Sequence, residues 1–419
     1  MIPPKQIVFV TTSSLATNPR LVKEVELAVS LGYSVVVVAF SFENWSRPLN
    51  DRLKKRFGDA VKLVEISADR KPFIPWLIST VTQIVCKGLV WLGVRTKPIL
   101  SQALQKRTIL LLYVLRRLQG KADLVVAHNP GSFYPVQYYA QKHHIPFGVD
   151  VEDYHPGEYT DERSRQRMKE LIQATLPYAS YITTAAPLIL KEVQKDCNGS
   201  LKQIATVLNY FEAAEFVAPV AVSEHRFRFV WFSQHIAAGR GLEQLLRAIG
   251  SFANEAELHL YGHLDGAFFH SHIQHVVNVV VHKPLAQYEL HALLGSYDVG
   301  VALEDAASNE NRDLCITNKL LAYYQAGLFL FASNTKAQID FLSQNPGHGI
   351  ITQLSTEVLE KGIRQLINCK KEIRQQALTR FMNASSFSSD LELMYVSNQW
   401  MRVLSSNQYL TEPDSPNAL

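Results

Sequence analysis

The segment DVGVALEDAASNENRDLCITNKLLAYYQAGLFLFAS (residues 298–333) contains a complete strand–loop–helix–strand unit. Val299–Leu303 and Leu328–Ala332 are short apolar runs typical of buried strands. Between them Thr317 and Asn318, both common N-cap residues, begin a helix. A parallel βαβ unit binds ligands at the carboxyl end of its strand, where the free amides of the helix N-terminus attract anions. The segment therefore predicts a site for a phosphate-bearing ligand such as a nucleotide-sugar.

Length and composition indicate a globular protein of two domains. A chain of 419 residues is too long for one ordinary core, and it is 47% hydrophobic and 19% charged. The cysteines lack the paired spacing of a disulfide framework or a zinc site, and they favour a reducing compartment: Cys86, Cys197, Cys315 and Cys369. The apolar run at the N-terminus is too short for a signal peptide, so a cytoplasmic location is predicted.

Positive charge is concentrated in the first third of the chain. Residues 1–122 contain 19 Lys and Arg against 7 Asp and Glu, whereas the remainder contains 23 against 31. A basic surface suits an anionic membrane or a nucleic acid, and the alternative is a solvated face without a partner. Nucleic-acid binding would rest on this asymmetry alone, so no nucleic-acid partner is predicted.

Residues 71–98, KPFIPWLISTVTQIVCKGLVWLGVRTKP, form a long apolar segment with basic residues at both ends. Trp76 and Trp91 lie near its ends, and polar residues and a proline interrupt it: Pro75, Thr80, Thr82, Gln83 and Lys87. A transmembrane span needs roughly 20 largely apolar residues, so the pattern favours an interfacial helix. A core helix and a true span are the alternatives. The prediction is peripheral contact with an anionic membrane, on the inner face of the cell membrane.

Apolar strands alternate with helical patterns along the whole chain, which predicts parallel sheets covered by helices on both faces. No G-x-G-x-x-G fingerprint occurs, so a classical dinucleotide fold is disfavoured. The first group of predicted strands is Ile7–Val10, Ser34–Phe40, Lys62–Ile66, Asp123–Ala127, Ile145–Val151, Tyr181–Thr184 and Ala205–Leu208. The second group is Phe227–Phe232, Glu257–Tyr261, Val277–Val281, Val299–Leu303 and Leu328–Ala332. The predicted domains are 1–212 and 226–385, with a linker at 213–225, a helix crossing back at 386–410 and a disordered tail at 411–419.

Four motifs in order resemble those of GT-B glycosyltransferases, in particular the retaining nucleotide-sugar enzymes of the glycogen synthase and mannosyltransferase type. The resemblance covers about residues 5–385. The motifs are Asp123–Pro130 (DLVVAHNP), Leu208–Phe211 with Phe216, Phe232–Gln234 followed by Gly239–Glu243 (GRGLE), and Asn318–Tyr323 with Ala326 and Gly327. They resemble, respectively, a strand that ends in a His, the segment P-N-G-V-D…F, the segment V-G-R-L…K-G-L and the helix after the nucleotide loop.

The resemblance implies an α/β architecture of two Rossmann-like, doubly wound parallel-sheet domains that face a central cleft. It implies transfer of a sugar from a nucleoside-diphosphate sugar to a glycan or lipid-linked acceptor, without a metal or another cofactor. Cell-surface polysaccharide or glycolipid synthesis at the cytoplasmic membrane face is the expected setting. The acceptor domain would be the first, with the donor domain second.

Residue by residue, the resemblance implies that His128 contacts the donor sugar as the catalytic candidate. Gln234 replaces a family Arg, and Arg240 lies at the family's Lys position, so both are candidates for the donor diphosphate. Lys319, in the first turn of its helix, opposes the helix dipole unless an anion is bound, and it is a third candidate. On the acceptor side, the candidates are Glu152, Asp153 and His155, which follow a predicted strand.

The family's two glutamates, spaced E-x7-E, fall here at Leu314 and Ala322, and neither residue is a carboxylate. Glu310 and Asp313 are the nearby substitutes. The other candidates for the donor nucleotide or sugar are Asn311, Thr317, Asn318 and His235. The missing pair motivates an alternative function, a catalytically inactive GT-B scaffold that acts as partner or regulator of an active transferase. A nucleotide-sugar epimerase on the same fold is a third hypothesis. No metal-ligand spacing or nucleophilic triad is present in the sequence.

Overall fold

The computed structural model describes residues 4–44, 46–118, 120, 122–220, 226–239 and 241–405. Arg240 and the predicted tail at 411–419 therefore lie outside the described residues. The chain divides into two compact units, of which the first is Met1–Val207 together with the segment from Leu393, and the second is Leu208–Glu392.

The first unit is built on a parallel sheet with the strand order β3-β2-β1-β4-β5-β6-β7. Its strands are β1 (Gln6–Thr11), β2 (Ser34–Ser41), β3 (Val61–Ser67), β4 (Leu124–His128), β5 (Phe147–Val151), β6 (Tyr181–Thr184) and β7 (Ile204–Thr206). The central strands are apolar runs without alternation because helices cover both of their faces. Continuous apolar runs in the sequence therefore predicted these strands correctly.

Helices of the first unit connect the strands and bury the sheet. They are α1 (Pro19–Ser30), α2 (Arg47–Phe57), α3 (Phe73–Trp91), α4 (Lys97–Leu104), α5 (Thr108–Arg116), α6 (Pro130–His143), α7 (Glu162–Thr175) and α8 (Pro187–Asp196). Short 3-10 turns precede α1 at Leu15–Thr17 and α7 at His155–Glu158. Helix α3 is long and apolar enough, by length and composition only, to cross a membrane. Only 11% of its apolar window is buried, so the alternative of a core helix is wrong.

The second unit has a parallel sheet with the strand order β10-β9-β8-β11-β12-β13. Its strands are β8 (Phe227–Ile236), β9 (Ala256–Leu264), β10 (Val279–His282), β11 (Val299–Ala302), β12 (Phe329–Ser333) and β13 (Gly349–Thr352). Its helices are α9 (Leu242–Gly250), α10 (Gly266–Phe268), α11 (Gln287–Leu294), α12 (Glu310–Leu314), α13 (Asn318–Gln325), α14 (Lys336–Gln344), α15 (Thr356–Asn368), α16 (Lys370–Gln375) and α17 (Ala377–Ala384). The sequence analysis missed β13, a short edge strand of mostly half-exposed residues.

A last helix, α18 (Ser389–Ser405), begins in the second unit and continues into the first. Val396, Trp400 and Val403 are buried in the core of the first unit, where the Trp400 indole donates to the Tyr181 hydroxyl at 2.8 Å. Residues 406–410 of the predicted helix lie outside the described residues.

Residues around the predicted linker at 213–225 belong to the second unit. Phe211 and Phe216 are buried there, and the Phe216 ring stacks on His291 with 4.8 Å between ring centroids. The second unit begins at Leu208, so residues 208–212 group with it and not with the first domain, to which the sequence analysis assigned them. Residues 221–225 of the linker lie outside the described residues.

The segment 298–333 folds as the strand–helix–strand unit that its sequence indicates. Strands β11 and β12 pair in parallel, and the Thr317 side chain accepts from the Leu320 amide at the start of α13. Helix α13 ends before Gly327, which has φ +74°. The predicted polar loop contains one short helix, α12, which the sequence did not indicate.

Gly300 of β11 lets α13 pack directly on the sheet. A Cβ at this position would lie 2.3 Å from Cγ of Tyr323, whose hydroxyl accepts from the Phe232 amide at 3.2 Å. Gly300 therefore sets the spacing between the nucleotide-loop helix and the strand beneath it.

We expect Gly300→Ala to lower the free energy of unfolding by about 1–3 kcal/mol, because the added methyl group forces the Tyr323 ring outward. Urea denaturation of the purified protein measures the change. Gly266→Ala is the matched control, because no atom lies within 4 Å of the Cβ it would add. Equal stability of the two variants would contradict the packing argument.

Candidate functional site

Each sheet reverses its strand order once, and ligands of open α/β sheets bind at the carboxyl side of such a reversal. In the first sheet the reversal lies between β1 and β4, and in the second between β8 and β11. His128 is the last residue of β4, and Glu304 follows β11 closely. Each unit therefore has one such position, and predicted site residues lie at or near both of them.

At the reversal of the first unit, a buried carboxylate, Asp150, holds several elements together. Arg20 of α1 donates to both of its oxygens, with Nε–Oδ2 at 2.8 Å and Nη2–Oδ1 at 2.6 Å. The Thr183 hydroxyl of β6 also donates to Oδ1, at 2.6 Å. A third guanidinium nitrogen of Arg20 donates to the Val207 carbonyl at 2.6 Å. Although burial raises the pKa of Asp150, the charge and hydrogen bonds of Arg20 lower it well below its usual value.

His128 lies inside this network and is fully buried. Its Nδ1 is 3.4 Å from Asp150 Oδ2, and its Nε2 is 3.6 Å from Oε2 of Glu24 on α1. Burial alone would lower the pKa of His128, but the two carboxylates raise it to about 10. The imidazole is therefore charged at neutral pH. In this unit it faces carboxylates from both sides, whereas the sequence analysis expected it to face a sugar; direct contact with the donor would require this network to open.

The carboxylates of Glu24 and Asp150 and a His128 ring nitrogen lie within 4.8 Å of one another, close enough in principle to ligate a metal ion. Arg20 already occupies both oxygens of Asp150. The guanidinium and the imidazolium thus supply the positive charge that a cation would bring. Residues of this kind form a salt-bridge network more readily than a metal centre.

The acceptor-side candidates follow β5, and Glu152, Asp153 and His155 are half-buried or buried there. Glu152 is half-buried and accepts a hydrogen bond from the Asn129 amide. Burial and the nearby charges of Asp153 and Asp150 raise the pKa of Glu152 to about 7. A carboxyl group that titrates near neutral pH at the carboxyl edge of a sheet is a feature of functional sites. His155 is buried, and its Nδ1 lies 3.0 Å from Oε2 of Glu158.

At the reversal of the second unit, Glu304 and Lys319 form a buried ion pair with Oε1–Nζ at 3.4 Å. The Lys319 ammonium lies 4.9 Å from the centre of the buried Trp231 ring. The Glu304 amide donates to the Ser333 hydroxyl at the end of β12. Lys319 is a candidate for the donor diphosphate in the sequence analysis, and here it forms an ion pair with Glu304 within the protein.

The glycine loop after β8 approaches Leu303, the residue before Glu304. Gly241 has φ +74°, and a Cβ there would be 2.6 Å from Cδ2 of Leu354 and 3.5 Å from Cβ of Leu303. Only glycine fits this close approach without strain. Gln234 is exposed near the end of β8. Arg240, the strongest diphosphate candidate, lies between the two glycines of the loop but outside the described residues.

The candidates in the nucleotide loop fall into two groups. Asp313 is engaged at the start of α14, where its Oδ1 accepts from the Lys336 amide at 2.8 Å and its Oδ2 pairs with the Lys336 ammonium at 2.7 Å. Thr317 caps α13, Asn318 is exposed and accepts from the Asn209 amide at 2.9 Å, Glu310 is half-buried and Asn311 is buried. Asp313 and Thr317 therefore have structural roles at the starts of helices. Asn318, Glu310 and Asn311 form the second group, and Asn318 is the most exposed of the three.

The positions of the family's glutamates are apolar and buried in this chain. Ala322 is fully buried within α13, and Leu314 is nearly so. Neither side chain can accept a hydrogen bond from a ribose. Glu304, on the strand side of the loop, is the buried carboxylate nearest to Lys319 of α13, and the sequence analysis did not include it in the site.

Sequence reasoning also missed Arg20, Glu24 and Asp150. Arg20 and Glu24 lie inside α1 and Asp150 inside β5, where the apolar pattern hides an occasional charged residue. A single signal was available: Asp150 interrupts the otherwise apolar strand FGVDV, and a buried charge requires a partner. Its partner Arg20 lies 130 residues away in sequence, so spacing could not identify it.

His128 predicts a specific pH dependence of stability. Its pKa is about 10 in the folded protein and about 6.5 when exposed, so its stabilising effect is complete below pH 6.5 and is lost as the pH rises to 10. We expect the free energy of unfolding of the wild type to fall, relative to His128→Asn, by roughly 1.4 kcal/mol per pH unit between pH 7 and 9. Urea denaturation across this range measures the difference, with exposed His144→Asn as the control. Parallel pH profiles for wild type and His128→Asn would show that the imidazole is neutral.

Comparison with known proteins agrees with this architecture. No protein-family model matches the chain, and no curated protein matches its sequence. Among solved structures, a sucrose-phosphate synthase from Thermosynechococcus elongatus is similar at 10% identity, covering 96% of this chain and 99% of that one, with a TM-score of 0.64. HepE of Anabaena, in complex with UDP and glucose, is similar at 12% identity, with coverage of 95% and 100% and a TM-score of 0.64.

A glycosyltransferase from Rickettsia africae is similar at 12% identity, with coverage of 96% and 100% and a TM-score of 0.63. Sequence identities this low show a shared fold and nothing finer. The structural match extends over nearly the full length of all the chains compared. Together with two parallel sheets, each flanked by helices, these similarities establish that the chain has the GT-B fold.

Proposed function

We propose that this chain is a glycosyltransferase that moves a sugar from a nucleoside-diphosphate sugar to an acceptor. The observation that carries the proposal is the site at the β8–β11 reversal of the second unit. There the glycine loop, the Glu304–Lys319 pair and the N-terminus of α13 occupy the carboxyl edge of one sheet. Similar solved structures, among them HepE in complex with UDP-glucose, support a nucleotide-sugar as the ligand.

The chemistry requires stabilisation of the diphosphate that leaves. In a metal-independent transferase, positive side chains and helix N-termini neutralise this charge. Arg240 supplies a permanent positive charge in the glycine loop, and Gly239 and Gly241 allow the backbone to approach a phosphate closely. Lys319 acts indirectly in this proposal, because it pairs with Glu304 and fixes the start of α13 against β11.

The donor nucleoside is recognised without the usual glutamate pair. Buried Ala322 and Leu314 leave Asn318, Glu310 and Asn311 as the polar side chains of the loop that bind the ribose or base in this proposal. Gln234, exposed at the end of β8, is a further candidate for the diphosphate. His235 is exposed beside it.

The finer parts of the proposal concern stereochemistry, acceptor and location. By resemblance, the reaction retains the anomeric configuration, with His128 and the acceptor-side carboxylates in the first unit. The acceptor is a glycan or lipid-linked molecule of cell-surface polysaccharide or glycolipid synthesis, handled at the cytoplasmic face of the membrane. The exposed apolar helix α3 supports peripheral membrane contact.

An inactive GT-B scaffold is the second candidate function, and a specific observation favours it. Apolar residues fill both positions where a glutamate would bind the donor, and the lysine of α13 is neutralised within the protein. A scaffold of this kind would bind a transferase instead of a donor. Donor turnover separates the two hypotheses.

We expect at least one nucleotide-sugar to raise the melting temperature of the purified protein. A ligand that binds only the folded state stabilises it by roughly 2.7 kcal/mol at a hundredfold excess over Kd. A thermal-shift panel of UDP-, GDP-, ADP- and TDP-sugars with the free nucleotides measures this, followed by donor hydrolysis with the sugar that binds. Binding without any hydrolysis or transfer would favour the scaffold, and no shift with any nucleotide would contradict the proposed function.

We expect Arg240→Ala to weaken binding of the selected nucleoside diphosphate by about 10- to 100-fold, the effect of losing one charge-assisted hydrogen bond. Isothermal titration calorimetry measures the Kd. The control is Arg247→Ala, which removes the same charge from the exposed last turn of the helix that follows the loop. An unchanged Kd for Arg240→Ala would remove this residue from the site.

A further inference from the structure

Helix α3 exposes apolar side chains and turns polar side chains toward the protein, which is the opposite of a surface helix on a soluble protein. Its exposed apolar residues extend from one end of the helix to the other, with the exposed Lys87 between Val85 and Trp91: Phe73, Ile74, Leu77, Ile78, Val81, Ile84, Val85, Trp91 and the adjoining Leu92. Trp91, Ile74 and Ile84 are the most exposed of these helix residues, at 75%, 69% and 65%. The apolar spacing of three and four residues is that of one helix face. A face of this size marks an interaction surface.

Polar residues occupy the inward face and fix the orientation of the helix. Gln102 of α4 donates to the Thr82 hydroxyl at 3.0 Å and to the Ser79 carbonyl at 3.3 Å. Gln83 donates to the Ala103 carbonyl at 3.3 Å. Because these bonds hold the polar face against α4, the apolar face is directed outward. Thr82 and Gln83, two of the polar residues that interrupt the apolar segment, therefore attach it to the protein.

A cluster of three cations lies at the N-terminal end of α3. The Lys106 ammonium is 4.6 Å and the Arg70 guanidinium 5.3 Å from the centre of the Trp76 ring. Arg107 lies 4.5 Å from the centre of the Phe42 ring and donates to the Thr12 carbonyl at 2.8 Å. In the described part of the chain, none of the three cations forms an ion pair with a carboxylate.

Two of these cations, Lys106 and Arg107, line an open cavity of about 350 Å³, and Arg70 lies over the Trp76 ring, which also lines it. Lys106, Arg107, Trp76, Gln83 and Ser67 contribute to its wall. Ser67 is the last residue of β3, so the cavity opens at the carboxyl edge of the sheet, the edge that also carries His128. Burial, together with the positive charges of Arg107 and Arg70, lowers the pKa of Lys106. Although the Asp69 carboxylate acts on Arg107, the three cations leave a net positive charge beside the cavity, which an anion would relieve.

We propose that α3 lies in the plane of an anionic bilayer and that the cavity lined by Lys106 and Arg107, with Arg70 nearby, binds the phosphate of a membrane lipid. An in-plane helix buries its apolar face at the boundary of headgroups and acyl chains, and tryptophans such as Trp76 and Trp91 favour that depth. Positive charge beside the apolar face matches the phosphates of the adjacent headgroups. The apolar face and the cations thus fit a single occupant, a phosphate-bearing lipid within the membrane.

This inference rests on the membrane contact of the proposed function and adds the headgroup site to it. The same carboxyl edge holds the acceptor-side candidates, so a lipid phosphate in the cavity would bring a lipid-linked acceptor to the edge where Glu152 lies. Vesicle binding is measured without nucleotide, so it does not depend on donor binding or sugar transfer.

Co-sedimentation with two kinds of vesicle tests the proposal: phosphatidylcholine alone, and phosphatidylcholine with 30% phosphatidylglycerol. We expect the wild-type protein to bind the anionic vesicles and to bind the neutral ones far more weakly. Ile74→Glu/Ile84→Glu should weaken binding to the anionic vesicles more than about a hundredfold, because two apolar side chains no longer enter the bilayer. Val277→Glu, at an exposed apolar position of the second unit, is the control and should bind as wild type does.

The headgroup site is tested by Arg70→Gln/Lys106→Gln. Each cation near an anionic surface contributes roughly a fivefold factor, so this variant should bind anionic vesicles about 25-fold more weakly. The control is Lys202→Gln, which removes a charge beside β7 at the opposite edge of the sheet. Soluble glycerol 3-phosphate, added in excess, should not release the protein if the phosphate is bound as part of a bilayer lipid.

Three outcomes would overturn the proposal. Wild-type protein that binds neither vesicle has no membrane surface. Unchanged binding by Arg70→Gln/Lys106→Gln, with binding lost in Ile74→Glu/Ile84→Glu, would leave the membrane contact but remove the headgroup site. A dimer in sedimentation equilibrium that Ile74→Glu/Ile84→Glu dissociates, without vesicle binding, would show that a second copy covers the apolar face. Circular dichroism confirms that each variant is folded.

Discussion

A buried carboxylate at the strand-order reversal of the first sheet, Asp150, imposes the central constraint on that unit. A carboxylate in an apolar interior is costly unless its charge and its hydrogen-bonding capacity are both satisfied. Arg20, Thr183 and His128 satisfy Asp150 from three different elements. Helix α1 and strands β4, β5 and β6 must therefore keep one relative position. The loops at this edge, which carry the acceptor-side candidates, are attached to a rigid base.

The second unit repeats this arrangement with different residues. Glu304 and Lys319 form its buried ion pair, again at the reversal of strand order, and Trp231 packs against the ammonium group. In both units, buried charged residues near the carboxyl edge hold the scaffold together. The other candidates for ligand binding lie at the ends of the strands and in the loops that follow them. The distinction matters for function. Removing a residue such as Lys319 would damage the scaffold as well as any donor site, whereas Arg240 and Asn318 test ligand binding more directly.

The sequence alone predicted the fold well because buried parallel strands are continuous apolar runs, and because glycine and N-cap residues mark the ends of helices. The runs at Ile7–Val10 and Ser34–Phe40 are of this kind, and the structure places both in interior strands of the first sheet. The sequence analysis did not predict β13 because this strand is short and half-exposed. Burial of individual charges was not predictable. Whether His128 or Lys319 faces solvent depends on Glu24, Asp150 and Glu304, whose proximity arises only once the sheets have formed.

Helix α3 shows the same limit of sequence analysis, here for polar residues within an apolar segment. Threonines and a glutamine within an apolar segment looked like defects in a membrane span, and composition could not tell which face they occupied. The hydrogen bonds of Thr82 and Gln83 to α4 show that they form the attachment of the helix to the protein. A helix held by its polar face cannot bury its apolar face in its own unit. The apolar face is exposed on this unit, and the nearby cations Arg70 and Lys106 are the reason for proposing an anionic lipid surface as its partner.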